Sequence, residues 1–199
     1  MTTNADRGRL VLGAVTWLRV VLVPVIIALV LLGPKGDGAP ERALATVPIL
    51  LVATVLFTIA ALTDLLDGYL ARRWSFATPL GSFLDTTADK LLVSGTLLAL
   101  VEVGRASAWV AFLIIGRELL VLGLKGVVAG GGTEVGASAL GKWKAVVQFF
   151  AIGMAIIALG PDLGPLALHG WVMALAGALT VWSAVDYFAR FRGAFRTQA

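Results

Sequence analysis

The chain has 199 residues, 59% of them hydrophobic and only 14% charged, with a mean hydropathy of +0.93, which places it in the membrane class rather than among soluble domains. Cysteine is absent and His169 is the single histidine, so disulfide frameworks, thiolate chemistry and histidine-cluster metal sites are excluded and a Ser-His-Asp triad is disfavoured. The net charge of +4 is carried mostly at segment ends, where it suits an anionic lipid surface and not nucleic acid.

A membrane-crossing helix needs roughly 20 apolar residues. The first such stretch, about 10–32, follows Arg7 and Arg9. It is too long for the apolar region of a signal peptide, roughly 7–15 residues, and no small-x-small cleavage pattern follows it, so it predicts a retained first span. After "GPKGDGAP" (33–40) comes a second, about 43–66. Pro24 and Pro48 fall inside these two helices and read as local kinks, which membrane helices tolerate. Thr78-Pro79 predicts an N-cap followed by proline at the first helical position, opening a third helix at about 80–103. A fourth covers about 107–129, and the glycine-rich "GGGTEVGASALG" (130–141) is a flexible connection. The last two cover about 143–160 and 166–189.

The expected fold is therefore an all-α integral membrane protein, six transmembrane helices in one bundle, with residues 1–199 forming a single domain. Six crossings put both termini on one side. Arg7, Arg9, Arg72, Arg73, Lys125, Lys142, Lys144, Arg190, Arg192 and Arg196 fall on that side, against Lys35, Arg42 and Arg105 on the other. The positive-inside rule then makes the termini cytoplasmic. The tryptophans mostly fall near helix ends, as interfacial anchors do.

Four carboxylates interrupt this apolar pattern. Asp64 and Asp67 are three apart near the end of helix 2, with Gly68 and Ala71 on the same stripe; Gly81, Asp85 and Asp89 repeat every four residues on helix 3. Helical spacing gives each helix a face bearing two carboxylates beside small residues. Ionisable groups in membrane segments suggest function by default. Bare, such a cluster would repel itself; two hard divalent cations bound through oxygen would neutralise it, an arrangement suited to phosphoryl-type displacement. Helix-end charges snorkelling to the interface would readily explain one or two aspartates and are the less favoured reading for four on two matched faces.

Asp64-x-x-Asp67-Gly68-x-x-Ala71-Arg72, followed after eight residues by Gly81-x-x-x-Asp85-x-x-x-Asp89, resembles the signature of the CDP-alcohol phosphotransferases. The resemblance implies that Asp64, Asp67, Asp85 and Asp89 ligate two divalent cations, Mg2+ or Mn2+, with Asp89 also the general base on the acceptor hydroxyl. It implies that Gly68, Arg72 and Gly81 line the CDP-lipid site. It further implies attack of an alcohol on CDP-diacylglycerol with release of CMP, at the cytoplasmic face of the cell membrane, by a homodimer surrounded by membrane lipids.

"TWLRVVLVP" (16–24), "IIGRELLV" (114–121) and "GKWKAVVQ" (141–148) are similar to the phosphatidylglycerophosphate synthase branch, which implies glycerol 3-phosphate as acceptor. Its phosphate needs cations, and Arg117, Lys142, Lys144 and, less directly, Arg19 are the candidates. Ordinary membrane anchoring competes for the two lysines, and an interhelical ion pair competes for Arg117. Neighbouring Glu118 lies about 100° away around the helix, which argues against a simple stacked pair with Arg117. Lys90, immediately after Asp89, reads as a snorkelling side chain. Two other functions stay open: a cardiolipin synthase accepting phosphatidylglycerol, and a cation-binding transporter, which calls for mid-bilayer carboxylates and internal symmetry. A structural scaffold is the non-catalytic reading.

Overall fold

A computed structural model describes the backbone over residues 4–34, 40–74, 79–130, 139–158, 162–163 and 166–196, and side chains over 15–34, 46–63, 83–124, 126, 141, 143–158, 166–187 and 189. The described chain is helical apart from one small hairpin. Its helices are α1 (Asn4–Leu31), α2 (Pro40–Trp74), α3 (Pro79–Glu102), α4 (Ala108–Gly130), α5 (Ala139–Ile157) and α6 (Leu168–Arg196). Before α6, β1 (Asp162–Leu163) pairs antiparallel with β2 (Leu166–Ala167), Asp162 opposite Ala167 and Leu163 opposite Leu166.

The chain divides into two compact units, Met1–Arg105 and Ala106–Ala199. In the first, α1 packs along both α3 and α2. Buried Arg19, Val23, Ile26 and Val30 form one stripe of α1, matched by Leu50, Ala53, Phe57 and Ala60 on α2 and by Ala88, Leu92, Thr96 and Leu100 on α3. These intervals of three and four are those of a single helix face. Gly95 lets α1 come close to α3: a Cβ there would stand 2.8 Å from Ile27 Cδ1 and 3.3 Å from Val23 Cγ1. In the second unit α6 is the shared element, packed against α5 and α4.

The opposite faces are apolar too. Val21 and Val25 on α1, Leu51, Val55, Ile59 and Leu62 on α2, and Val181 and Val185 on α6 are all exposed. Helices apolar on the outside as well as the inside suit lipid, not water. Among the described residues Thr46–Thr63 of α2 and Leu168–Tyr187 of α6 are long and apolar enough to cross a membrane, and most of each window lies on the surface. Val15–Leu31 and Trp143–Ile157 are shorter apolar segments. Hydroxyls in these helices turn back to their own backbone, as Thr54 does to the Leu50 carbonyl (2.8 Å) and Thr180 to that of Ala176 (2.7 Å). That satisfies a polar group without leaving the helix.

Helix boundaries differ from the hydropathy reading mainly where polar turns continue a helix. α1 begins at Asn4, and α2 runs on through Trp74, because backbone hydrogen bonding does not stop where apolar side chains do. α3 starts at Pro79, the first helical position that its missing N–H favours; Thr78 lies outside the described residues. α3 ends in a Schellman motif. Gly104 has φ +75°, its N–H bonds to the Val101 carbonyl (3.0 Å), and the Arg105 N–H reaches back to Leu100 (2.8 Å). Leu166 and Ala167, apolar enough to read as helix, are instead extended in β2.

Candidate active site

Asp64, Asp67, Gly68 and Arg72 all fall within unbroken α2, and Gly81, Asp85 and Asp89 within α3. The side chains of Asp64, Asp67 and Arg72, and the surroundings of Gly68 and Gly81, lie outside the described residues. Asp85 and Asp89 are described, one helical turn apart on α3 and both partly accessible.

Each has a cationic partner. Arg19, on α1, donates from Nη1 to Asp85 Oδ1 at 2.8 Å; its side chain is 1% exposed against 34% for Asp85. Arg19, expected among the candidates for the acceptor phosphate, thus has its guanidinium against a signature carboxylate. Lys90 Nζ lies 2.6 Å from Asp89 Oδ2. Adjacent residues diverge around a helix, yet the lysine stem is long enough to fold back, and the expected snorkelling is replaced by this contact.

Among the described residues no three acidic, histidine or cysteine side chains are grouped to hold a metal. Asp85 and Asp89 nevertheless offer the right donor chemistry. A carboxylate carries two oxygens and about four lone-pair sites, and the contacts with Arg19 and Lys90 each engage one oxygen. The remaining oxygen-only donors fit a hard divalent cation.

The second unit gathers a different set. Lys144 on α5 is buried and donates to Glu118 Oε1 on α4, tying the two helices together. Arg117 Nη2 donates to Ser183 Oγ on α6 at 2.6 Å, and its Nη1 lies 3.4 Å from Glu118 Oε1. The long guanidinium stem thus spans the angle that separates neighbours on a helix. One turn along α5 from Lys144, Gln148 is buried and its Oε1 has no hydrogen-bond partner. The side chain of Lys142 lies outside the described residues. Among the described residues this set joins two cations and one carboxylate.

Sequence reasoning missed Ser183 and Gln148 as members of this set and Glu118 as the partner of Lys144. A serine, a glutamine and a glutamate at helical spacing carry no local signal; only the buried contacts single them out. Arg19 was visible as a charge inside an apolar helix, but its partner is 66 positions away.

A sequence model of the CDP-alcohol phosphatidyltransferase family matches residues 12–182. The chain is 37% identical over 185 residues to the CDP-diacylglycerol–glycerol-3-phosphate 3-phosphatidyltransferase of Bacillus subtilis (strain 168), covering 92% of this chain and 95% of that protein. It is 39% identical over 175 residues to a probable phosphatidylglycerophosphate synthase of Mycobacterium tuberculosis, covering 88% of this chain and 78% of that protein. A cardiolipin synthase (CMP-forming) of Oryza sativa subsp. japonica is 35% identical over 152 residues, covering 67% of this chain and 46% of that protein.

Proposed function

The chain belongs to the CDP-alcohol phosphatidyltransferase family, and from that premise we propose that it transfers the phosphatidyl group of CDP-diacylglycerol to glycerol 3-phosphate, giving phosphatidylglycerophosphate and CMP. The observation that carries this reading is likeness along almost the whole of the Bacillus subtilis protein named for that reaction. The cardiolipin synthase alternative is weaker, because the matching stretch is under half of that relative.

The signature residues take their roles within this proposal. Asp64, Asp67, Asp85 and Asp89 hold two divalent cations of the Mg2+ or Mn2+ class. When bound, such ions supply charge neutralisation at the phosphorus and on the departing phosphate. Gly68, Arg72 and Gly81 receive the CDP head, the arginine facing phosphate. Asp89 accepts the proton of the glycerol hydroxyl. That oxygen bonds to the phosphatidyl phosphorus as the bond from phosphorus to the CMP oxygen breaks, and CMP leaves with the electron pair. Arg117, Lys142 and Lys144 hold the acceptor phosphate, with Arg19, whose guanidinium meets Asp85, the less direct candidate.

The chain acts as one catalytic domain with six spans and both termini in the cytoplasm, the aspartates at the cytoplasmic face of the cell membrane, and functions as a homodimer. The apolar outer faces of the helices support a membrane setting. Purified protein supplied with CDP-diacylglycerol and, separately, glycerol 3-phosphate, phosphatidylglycerol, inositol phosphate or serine should form product with the first alone. CMP release should stop with chelator and return with Mg2+ or Mn2+. CMP formation indifferent to chelation overturns the metal assignment, and product from phosphatidylglycerol alone overturns the acceptor.

A further inference from the structure

Arg19 is among the largest fully buried side chains of the protein. A guanidinium withdrawn from solvent is held there by a counter-charge, since an uncompensated buried charge is strongly destabilising. Its Nη1 meets Asp85 Oδ1 at 2.8 Å, and Asp85 itself stays a third exposed. The two residues come from different helices, brought together where α1 lies along α3. Further along the same pair Gly95 leaves room for Val23 and Ile27, one and two turns beyond Arg19. The fixed end of the contact is the arginine and the accessible end is the carboxylate.

We propose that Arg19 is the positioning residue of the divalent-cation site: by fastening Oδ1 of Asp85 from within the helix pair, it presents the second oxygen of that carboxylate for ligation. The inference rests on the proposed two-cation reading of the aspartate cluster and adds a residue outside the family signature quoted above. Partners behind a metal-ligating side chain fix its rotamer, and losing one typically lowers metal affinity about 10–100-fold. Arginine suits the task better than lysine, because its planar donor fork fixes direction as well as charge. A carboxylate freed of Arg19 would sample several rotamers, and ligation would have to bear the entropy of selecting one.

The decisive measurement is Mn2+ binding by the purified full chain in detergent, followed by paramagnetic resonance of free Mn2+, which does not depend on turnover. Arg19→Gln should raise the apparent Kd for Mn2+ about 10–100-fold, and Arg19→Lys should fall between it and the unchanged protein. In parallel, the Mn2+ concentration giving half-maximal CMP release should rise, while the KM for CDP-diacylglycerol at saturating Mn2+ stays within about twofold, a split that mere loss of fold does not produce. A folded Arg19→Gln protein whose Mn2+ affinity is unchanged or tighter overturns the proposal. If Arg19→Gln does not yield folded protein, Arg19→Lys decides on the same titration, weakened binding supporting the proposal and unchanged binding overturning it. Absence of Mn2+ binding by the unchanged protein sinks the two-cation reading and this inference with it; intact binding that ignores Arg19 sinks this inference alone.

Discussion

Glu118 and Lys144 are each almost wholly withdrawn from solvent, so their contact answers differently to single and paired substitution. Glu118→Gln removes the carboxylate that Lys144 and Arg117 share, and breaking a buried ion pair from one side destabilises by about 3–5 kcal/mol. A lowered midpoint of thermal unfolding in detergent checks this. The paired change Glu118→Gln with Lys144→Met removes both charges of the Lys144 contact and should recover part of the loss, because a buried charge facing a neutral partner costs more than the lost attraction. Acceptor binding would respond in the opposite order: the pair-substituted protein regains stability but has lost a cation proposed to hold phosphate, so its KM for glycerol 3-phosphate stays raised. At the aspartates, Asp89→Asn should leave unfolding unchanged within about 1 kcal/mol and lower CMP release about 100- to 10,000-fold, the range associated with removing a general base.

Packing between α1 and α3 brings Arg19 to Asp85. Gly95→Val introduces branches beside Val23 and Ile27 and should destabilise by about 1–3 kcal/mol through overpacking. Gly95→Ala, whose methyl meets the far end of Ile27, should lose less, and Ile27→Val, which deletes that Cδ1, should restore it. Denaturant or thermal unfolding of the three proteins checks the ordering. These contacts also show what was legible beforehand. Six helices, the start of α3 at Pro79 and the placing of Asp85 and Asp89 one turn apart all follow from local spacing and composition. The run of α2 as far as Trp74 does not, since hydropathy falls away at Asp64 and only the spacing of Asp64, Gly68 and Ala71 carries the helix further. The partnering of Arg19 with Asp85 depends on how α1 lies against α3, which no window of sequence contains. Lys90 was misread because helical angles describe Cβ directions and say little about where a four-carbon stem ends.

At the scale of the whole molecule, the exposed apolar faces make the protein a creature of the bilayer. Val55 is exposed and central in the Thr46–Thr63 window of α2. Arginine at the centre of a span opposes insertion by roughly 2.5–3.5 kcal/mol. Val55→Arg should therefore shift a measurable share of the protein out of the carbonate-resistant membrane fraction, whereas Val55→Leu should not. A membrane fraction indifferent to Val55→Arg would count against α2 lying exposed to lipid.

The unbroken course of α2 has a consequence for kinetics. Past its apolar window the helix continues from Asp64 to Trp74, roughly 16 Å at 1.5 Å per residue, which is deeper than the polar layer of one leaflet, roughly 5–8 Å. Were Thr46–Thr63 to cross the hydrocarbon as proposed, the first turn beyond it, bearing Asp64 and Asp67, would stand among lipid headgroups. Encounter with the proposed lipid-tethered nucleotide would then take place in two dimensions, so diluting the donor with inert lipid at constant bulk concentration should slow turnover. A leaflet at about −30 mV also enriches divalent ions at its surface roughly tenfold. Vesicles richer in anionic lipid should therefore need less added Mg2+ for half-maximal rate, and the anionic product would ease its own continued formation.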